Sequence, residues 1–422
     1  MSARAPYEVV DTLFLWYLGL PARPVLVGEI HLALNGRGVS LRYGREWIKT
    51  GFPLSEDLPL LDMEHLPREK DVAAGSVDDA RPDRWGERVI RQLERPPRLS
   101  ILEMLYFAGD ERFGALGVST SEERYAPCAR GALPTLADVD AVHELVRKLL
   151  ADEMIGIDEV SRRLIAPGAT MGGTRPKALI EIDGEPWVLK FAEAEMSSEP
   201  LVEHAAMTLA AKAGIVVAET RVIKLAKGAA VAIKRFDRAI STVTGRVKTQ
   251  RLHALSANVA LKAAGAALSY PNLAQLLRRR GSPVGGTDRQ QMRELFRRLI
   301  FNILIDNTDD HEKNHVLLAT DSQHYLLSPA FDVLPTAQAL GYQSMIVGHE
   351  GTISSVENAM SMSQAYGLNR TEALAEAARV AEVVNDWQTH FAASSVDRNT
   401  INSLADQIDR AYLLVQRKAL AG

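Results

Sequence analysis

The segment Asn307-Thr308-Asp309-Asp310-His311-Glu312-Lys313-Asn314 sets two aspartates and a histidine, closed by Asn314, directly after an apolar stretch. Asp309 and Asn314 stand five residues apart. Phosphoryl transfer asks for these two residue types. A carboxylate orients an attacking hydroxyl and accepts its proton, and a side-chain oxygen ligates the cation that neutralises the phosphates. A further acidic residue follows 18 positions after Asn314, in Pro329-Ala330-Phe331-Asp332-Val333-Leu334-Pro335-Thr336. Asp332 is flanked by apolar residues, where a lone carboxylate is costly to bury without a partner. Mg²⁺ is a suitable partner.

Upstream, Pro167–Lys177 is rich in glycine: Gly168, Gly172 and Gly173 surround Thr170, with Arg175 and Lys177 at its end. Glycines let backbone N–H groups approach phosphates closely, and the two cations add charge. Lys190 ends an apolar run, Val188-Leu189-Lys190-Phe191, and Glu203 lies in the helical stretch that follows, in position to pair with it. Singly, each has a plainer reading. The glycines match neither the Walker A nor the kinase G-x-G-x-x-G pattern and read as a turn. Lys190 reads as a snorkelling strand-end lysine, Glu203 as a solvated helix residue, and His311 as structural. Residues 309–314 read as a loop of turn formers and Asp332 as a cap. The protein-kinase catalytic loop, however, carries an Asp and an Asn at the spacing of Asp309 and Asn314. All these features in kinase order favour phosphoryl transfer over a coincidence of turns.

The elements that must position these residues are legible from periodicity. Val25–Leu34 and Gly38–Tyr43 read as strands around an Asn35-Gly36 turn. Helical stretches start at Asp83-Arg84-Trp85-Gly86 and span Ser100–Phe107 and Val139–Asp152. Strands are expected at Ala178–Ile182 and Trp187–Phe191 around Asp183-Gly184, and again at Val216–Leu225 and Ala230–Phe236. A helix through Glu203 closes at Gly214. From about Leu252 the pattern is helical, with a strong apolar stripe over Asp288–Ile305 and further helices at Arg370–Phe391 and Ile401–Ala419. Two short strands, Val316–Leu318 and Tyr325–Leu327, separate the two acidic segments. The expected division is 1–125 as a small α+β module, a linker over 127–134, a mixed β lobe over 136–240 and a helical lobe over 241–422.

Composition sets outer bounds. The 422 residues carry 49 basic and 53 acidic side chains, a net charge of −4, which gives no chain-wide footprint for nucleic acid. Arg278, Arg279 and Arg280 form the densest basic cluster and read as a solvated helix end. Cys128 is the single cysteine, so neither an internal disulfide nor a cysteine-based zinc site is expected. The apolar run Leu13–Leu20 is too short to span a bilayer, and the expectation is a cytoplasmic protein with no membrane partner.

At this point the chain resembles the HipA family, kinases found mostly as toxins of bacterial toxin–antitoxin pairs. Asn307–Asn314 resembles that family's catalytic loop, Leu327–Thr336 its metal-binding segment, and Lys234-Arg235-Phe236-Asp237-Arg238 its hinge. Asp79–Gly86 and Gly109–Leu116 resemble its N-terminal subdomain. The resemblance covers roughly residues 7 to 390. It implies an α+β, two-lobed protein-kinase-like fold, with a mixed β N-lobe, a mainly helical C-lobe and a small N-terminal α+β subdomain. It also implies an ATP- and Mg²⁺-dependent serine/threonine-protein kinase. Asp309 would be the base, and Asn314 and Asp332 would hold Mg²⁺. Gly168, Thr170, Gly172, Gly173, Lys177, Lys190, Glu203, Arg235, Phe236 and His311 would line the nucleotide. The implied substrate is a protein such as an aminoacyl-tRNA synthetase. The implied partner is a helix-turn-helix antitoxin, through which DNA would be met only indirectly. The chain departs from relatives that carry a serine just before the glycine-rich loop. Here that stretch is Arg162–Pro167, with Ser161 further back and Thr170 and Thr174 as substitutes. Lys234 also stands where an acidic residue is common. Two other readings stay open: a catalytically silent scaffold for antitoxin and DNA, and a kinase acting on a small molecule.

Overall fold

Alternating apolar residues in the first segment build a sheet. β1 (Thr12–Tyr17), β2 (Val25–Ala33) and β3 (Gly38–Tyr43) turn Leu13, Leu15, Val27, Ile30, Val39 and Leu41 into one buried core. A four-residue connection joins β2 to β3, with Leu34, Asn35 and Gly36 in the left-handed region at φ of 52°, 55° and 83°. The sheet runs β4 (Glu64–His65), β3, β2, β1, β6 (Leu116–Ser119), with β5 (Val72–Ala73) parallel to β3. Among the described residues four α-helices accompany it: α1 (Arg45–Thr50), α2 (Arg84–Val89), α3 (Ile101–Phe107) and α4 (Val139–Leu150). Asp83 caps α2, its carboxylate accepting the Gly86 N–H at 2.9 Å, and Ser100 with Glu103 forms a reciprocal capping box on α3. β7 (Lys177–Ile182) leads through Asp183 and Gly184, both at positive φ, into β8 (Glu185–Phe191). This is a computed structural model, and it describes residues 7–128, 130–153, 164–168, 173–194, 197–243, 246–320, 324–336 and 338–421.

After β8 the chain forms α5 (Glu199–Lys212), β9 (Thr220–Lys224) and β10 (Ala229–Lys234). β8, β10 and β9 pair antiparallel in that order, and α5 packs on β10 and β9. α5 begins a full turn before Glu203, with Pro200 in its first turn, and ends just before Gly214 at φ 78°. A hairpin follows that periodicity did not reveal: β11 (Arg238–Val243) and β12 (Arg246–Arg251). Its base is held by charge. Asp237 accepts the Gly114 N–H at 2.7 Å, and Arg251 donates to the Asp110 carbonyl at 2.8 Å.

The short strand β13 (Ala254–Ser256) precedes a helical run: α6 (Ala257–Ala263), α7 (Tyr270–Arg280) and α8 (Thr287–Leu304). β14 (Val316–Ala319) and β15 (Tyr325–Leu327) pair antiparallel. Then come α9 (Val356–Ser361), α10 (Arg370–Asn385), α11 (Trp387–Ala393), α12 (Arg398–Ile408) and α13 (Ala411–Ala421). The two long helices expected at 370–391 and 401–419 are thus each broken, at Asp386 and at Asp409-Arg410. Asp409 explains the second break. Its carboxylate gathers Trp387, Gln388 and Arg417, which requires the chain to fold back there.

The chain divides into two compact units. One comprises Met1–Pro186 with Asp237–Leu255, the other Trp187–Phe236 with Ser256–Gly422. The division cuts the stretch 136–240 at Pro186 and again inside the Lys234–Arg238 segment. Among the described residues no helix is long and apolar enough to cross a membrane.

Candidate active site

The second unit buries an ion cluster. Lys190 enters on β8 opposite Val231, and its ammonium lies 2.6 Å from Glu203 Oε1 on α5 and 2.6 Å from Asp332 Oδ1. Lys190 and Glu203 are 1% exposed and Asp332 is 9% exposed, so water contributes little. Burial pulls the lysine pKa down, but the two carboxylates outweigh it and hold the ammonium above its ordinary value. Asp332 sits at φ 58°, a left-handed conformation costing a non-glycine residue roughly 1–2 kcal/mol. Strain of this kind gathers where a side chain must be aimed.

The acidic loop leaves α8 through a left-handed turn. Asp306 adopts φ 57°, its N–H bonds the Ile303 carbonyl at 3.3 Å, and the Asn307 N–H reaches back to the Asn302 carbonyl at 2.8 Å. This is the Schellman arrangement, with Asp in the place glycine usually takes. The Asp306 carboxylate is held by Arg410 at 2.7 Å and accepts the Ala339 N–H at 3.1 Å. Thr336, four residues past Asp332, bonds both the Asp306 carbonyl (2.9 Å) and the Thr308 hydroxyl (2.7 Å). The two acidic segments are therefore stitched together through backbone and hydroxyls, a link the spacing did not disclose.

Within the loop the residues differ sharply in exposure. Asp309 faces solvent. Asn314 is buried, and its Oδ1 has no hydrogen-bond partner among the described residues. An orphaned amide oxygen costs about 1–3 kcal/mol. It matches what a Mg²⁺ ligand needs, since that cation takes oxygen donors from one or two side chains and completes its shell with phosphates and water. The Asn314 oxygen thus fits the ion, whereas the Asp332 carboxylate bonds Lys190 through Oδ1. His311, half-buried, accepts the Lys313 N–H through Nδ1 at 3.2 Å and so shapes the loop. Phe236 packs on Phe331, the residue before Asp332, with ring centroids 5.3 Å apart, and Arg235 is buried beside it in sequence.

The glycine-rich stretch belongs to the first unit and reads differently there. Lys177 is fully buried, ion-paired with Asp83 and donating to the Gly173 carbonyl at 2.7 Å. Its ammonium is committed to protein partners. Gly168 permits close packing: a Cβ there would stand 2.7 Å from the Ala108 carbonyl oxygen. Gly173 has φ 39°. Thr170 and Gly172 lie outside the described residues. The sequence reading also missed a buried group beside Asp309. Asp310 accepts hydrogen bonds from the Tyr270 hydroxyl and from His315 Nε2, the latter at 2.8 Å. Burial raises the Asp310 pKa, but His315 and Tyr270 more than offset it and the carboxyl is held below its usual value. An Asp-Asp pair followed five residues on by Asn-His was the available signal.

Comparison with known proteins agrees in family and fold. Residues 22–119 match the model described as the HipA N-terminal domain, and residues 169–389 that of the HipA-like C-terminal domain. A curated relative, "Putative kinase Y4dM" of Sinorhizobium fredii, is 31% identical over 166 residues, 36% of this chain, and the match spans 38% of that relative's length. Among solved structures, the Shewanella oneidensis MR-1 toxin–antitoxin complex of HipA, HipB and operator DNA aligns over 96% of this chain and 97% of that one. The TM-score is 0.64 and the identity 17%. The fold class is accordingly α+β and protein-kinase-like, with two lobes.

Proposed function

This chain belongs to the HipA family, and from that premise we propose that it is an ATP- and Mg²⁺-dependent serine/threonine-protein kinase of HipA type. The observation that carries the reading is Lys190, buried between Glu203 and Asp332 in the unit that also presents Asp309 and Asn314. A packing role alone gives no reason to bury two carboxylates against one ammonium, because such clusters rarely outperform apolar residues in stability.

Each residue then has a task. Asp309, exposed on the loop, orients the substrate hydroxyl and accepts its proton. Lys190, fixed by Glu203, directs its ammonium at the nucleotide phosphates. Asn314 and Asp332 hold Mg²⁺, which when bound neutralises phosphate charge. The backbone at Arg235 and Phe236 meets the adenine, and His311 borders the nucleotide. The substrate is read as a protein Ser or Thr, in the manner of an aminoacyl-tRNA synthetase. The partner is read as a helix-turn-helix antitoxin that alone contacts DNA.

The test is incubation of purified protein with labelled ATP and Mg²⁺ and a lysate from cells depleted of it, beside Asp309→Gln and Asp332→Asn. Label should pass to a discrete protein with wild type, and Asp309→Gln should lower the rate by about 10²–10⁴-fold. Near-full transfer by Asp309→Gln would remove Asp309 as the base. Absence of ATP binding by wild type would overturn the kinase reading.

A further inference from the structure

The loop that carries Asp309 and Asn314 contains a second pair at the same spacing, shifted by one residue. Asp310 and His315 are also five apart, and they touch: His315 Nε2 lies 2.8 Å from Asp310 Oδ2. Both are buried (3% and 2% exposed), whereas the neighbouring Asp309 faces solvent. The loop is thus closed on its inner side by a direct rung, one residue along from the pair assigned to chemistry. We propose that Asp310, His315 and Tyr270 form a clamp that sets the separation of Asp309 and Asn314. They act as positioning residues rather than catalytic ones, and the proposal rests on the kinase reading above.

Three features make the rung rigid. Tyr270 donates its hydroxyl to the same Asp310 oxygen, and its ring meets His315 edge-on with centroids 5.5 Å apart. Tyr270 is itself pinned. It is the first residue of α7, whose Ser269 side chain caps the helix, and its N–H donates to the Ile346 carbonyl at 3.0 Å. On the other side the His315 carbonyl accepts the Ala257 N–H at 2.7 Å, and Asn258 of α6 donates to Glu312 Oε1 at 2.7 Å. Two helices therefore hang on the loop, one at each end of the rung.

Burying a charged carboxylate here costs stability that an apolar pair of equal volume would not. The return is geometric. A bonded 310–315 rung leaves the backbone little freedom to vary the 309–314 distance, because each catalytic residue is covalently adjacent to one end of it. A cavity of about 10 Å³ lies under the loop, lined in part by Asn302, Asp310, Asn314 and His315. That is room for about one water. Asn314, whose side-chain oxygen has no hydrogen-bond partner among the described residues, has space to shift when the rung is cut.

The experiment uses the full chain carrying Tyr270→Phe, Asp310→Asn, His315→Gln or His315→Phe. Phosphoryl-transfer kcat, KM for ATP, the Mg²⁺ requirement and thermal unfolding are measured for each. Supporting partners of metal ligands typically cost ten- to a hundredfold in activity when removed, so Asp310→Asn and His315→Phe should lose about that much in kcat. KM for ATP should hold while more Mg²⁺ is needed, because Asn314 is displaced. His315→Gln, which keeps a neutral donor, should recover part of the loss that His315→Phe shows. Equal losses in the two His315 variants, tracking the unfolded fraction, would reduce the group to packing. Unchanged kcat in folded variants would overturn the clamp and leave the kinase standing. An inactive wild type would bring down the kinase reading and the clamp's role with it. Should Asp310→Asn fail to fold, Tyr270→Phe decides the matter, since it deletes a single hydroxyl. It should show a smaller loss of the same kind, and wild-type kinetics there would sink the clamp.

Discussion

Lys190 is the residue on which the site's electrostatics turn. One ammonium faces two carboxylates, so the cluster carries a net negative charge in a nearly dry setting. Its stability depends on keeping all three members. Deleting one partner of a buried pair typically costs about 3–5 kcal/mol, because the remaining charge is left without compensation. Lys190→Met is therefore expected to destabilise the second unit by about that amount in a denaturant titration. Adding Glu203→Gln to it should restore part of the loss. If the double variant were no more stable than Lys190→Met, Glu203 would have no claim as the lysine's holder. At this scale much was legible in the sequence. A strand end followed by a helix points to the pairing of Lys190 with Glu203 that the fold contains, and type and spacing single out Asp309, Asn314 and Asp332, of which Asp332 joins that cluster. What stayed hidden depends on residues distant in sequence. Tyr270 lies 40 positions before Asp310, and Thr336 lies 28 after Thr308. No local pattern encodes either contact. Lys177 shows the converse: a lysine in a glycine-rich stretch suggested phosphate, yet its charge is spent on Asp83.

Between elements, the telling position is Gly168. In the sequence it reads as a glycine that frees backbone for a phosphate. In the fold it lets the Pro167-Gly168 segment lie directly against the backbone of Ala108 and Arg112, and Gly86 of α2 does the same from the other side. A Cβ on Gly86 would fall 2.1 Å from the Pro167 carbonyl oxygen, and one on Gly168 would fall 2.9 Å from Arg112 Cα. The obstructing atoms are backbone and cannot rotate away. Gly168→Ala is thus expected to cost about 1–3 kcal/mol of first-unit stability, the usual range for overpacking. Thermal unfolding of the variant checks this, and a melting temperature equal to wild type would show that the segment simply moves aside. The elements that periodicity captured include those with one buried face, such as β2 and α4. The β11–β12 hairpin escaped because polar residues fill it and its anchors, Asp237 and Arg251, bond to partners more than a hundred positions away. The helix breaks at Asp386 and Asp409 escaped because the apolar stripe continues across them.

Over the whole molecule, the chain passes between its two units three times, at Pro186-Trp187, Phe236-Asp237 and Leu255-Ser256. Boundaries drawn from runs of like elements cannot show this, because contacts, not element types, define a unit. The segment that returns to the first unit, Asp237–Leu255, contains His253, and there an acid sensitivity is built in. His253 is buried, its Nε2 2.8 Å from the Leu54 carbonyl, its ring against Phe52, and its Nδ1 without a hydrogen-bond partner among the described residues. Burial drives its pKa down to about 4, and His65, His204 and His390 are lowered for the same reason. A histidine whose folded pKa lies below its unfolded value of about 6.5 takes up its proton more readily when the chain unfolds. Its contribution is therefore complete above pH about 6.5, is lost as pH falls from there, and is gone below about 4. For His253 alone the span corresponds to about 3 kcal/mol at roughly 1.4 kcal/mol per pH unit. Denaturant titrations should accordingly show a plateau at neutral pH and a decline between about 6.5 and 4. His253→Gln, which keeps a side-chain donor for the Leu54 carbonyl but does not titrate, should lie below wild type on the plateau and flatten part of that decline. Parallel curves for wild type and variant would mean that the acid lability arises elsewhere, from the three more exposed histidines or from the carboxylates that pair with buried cations.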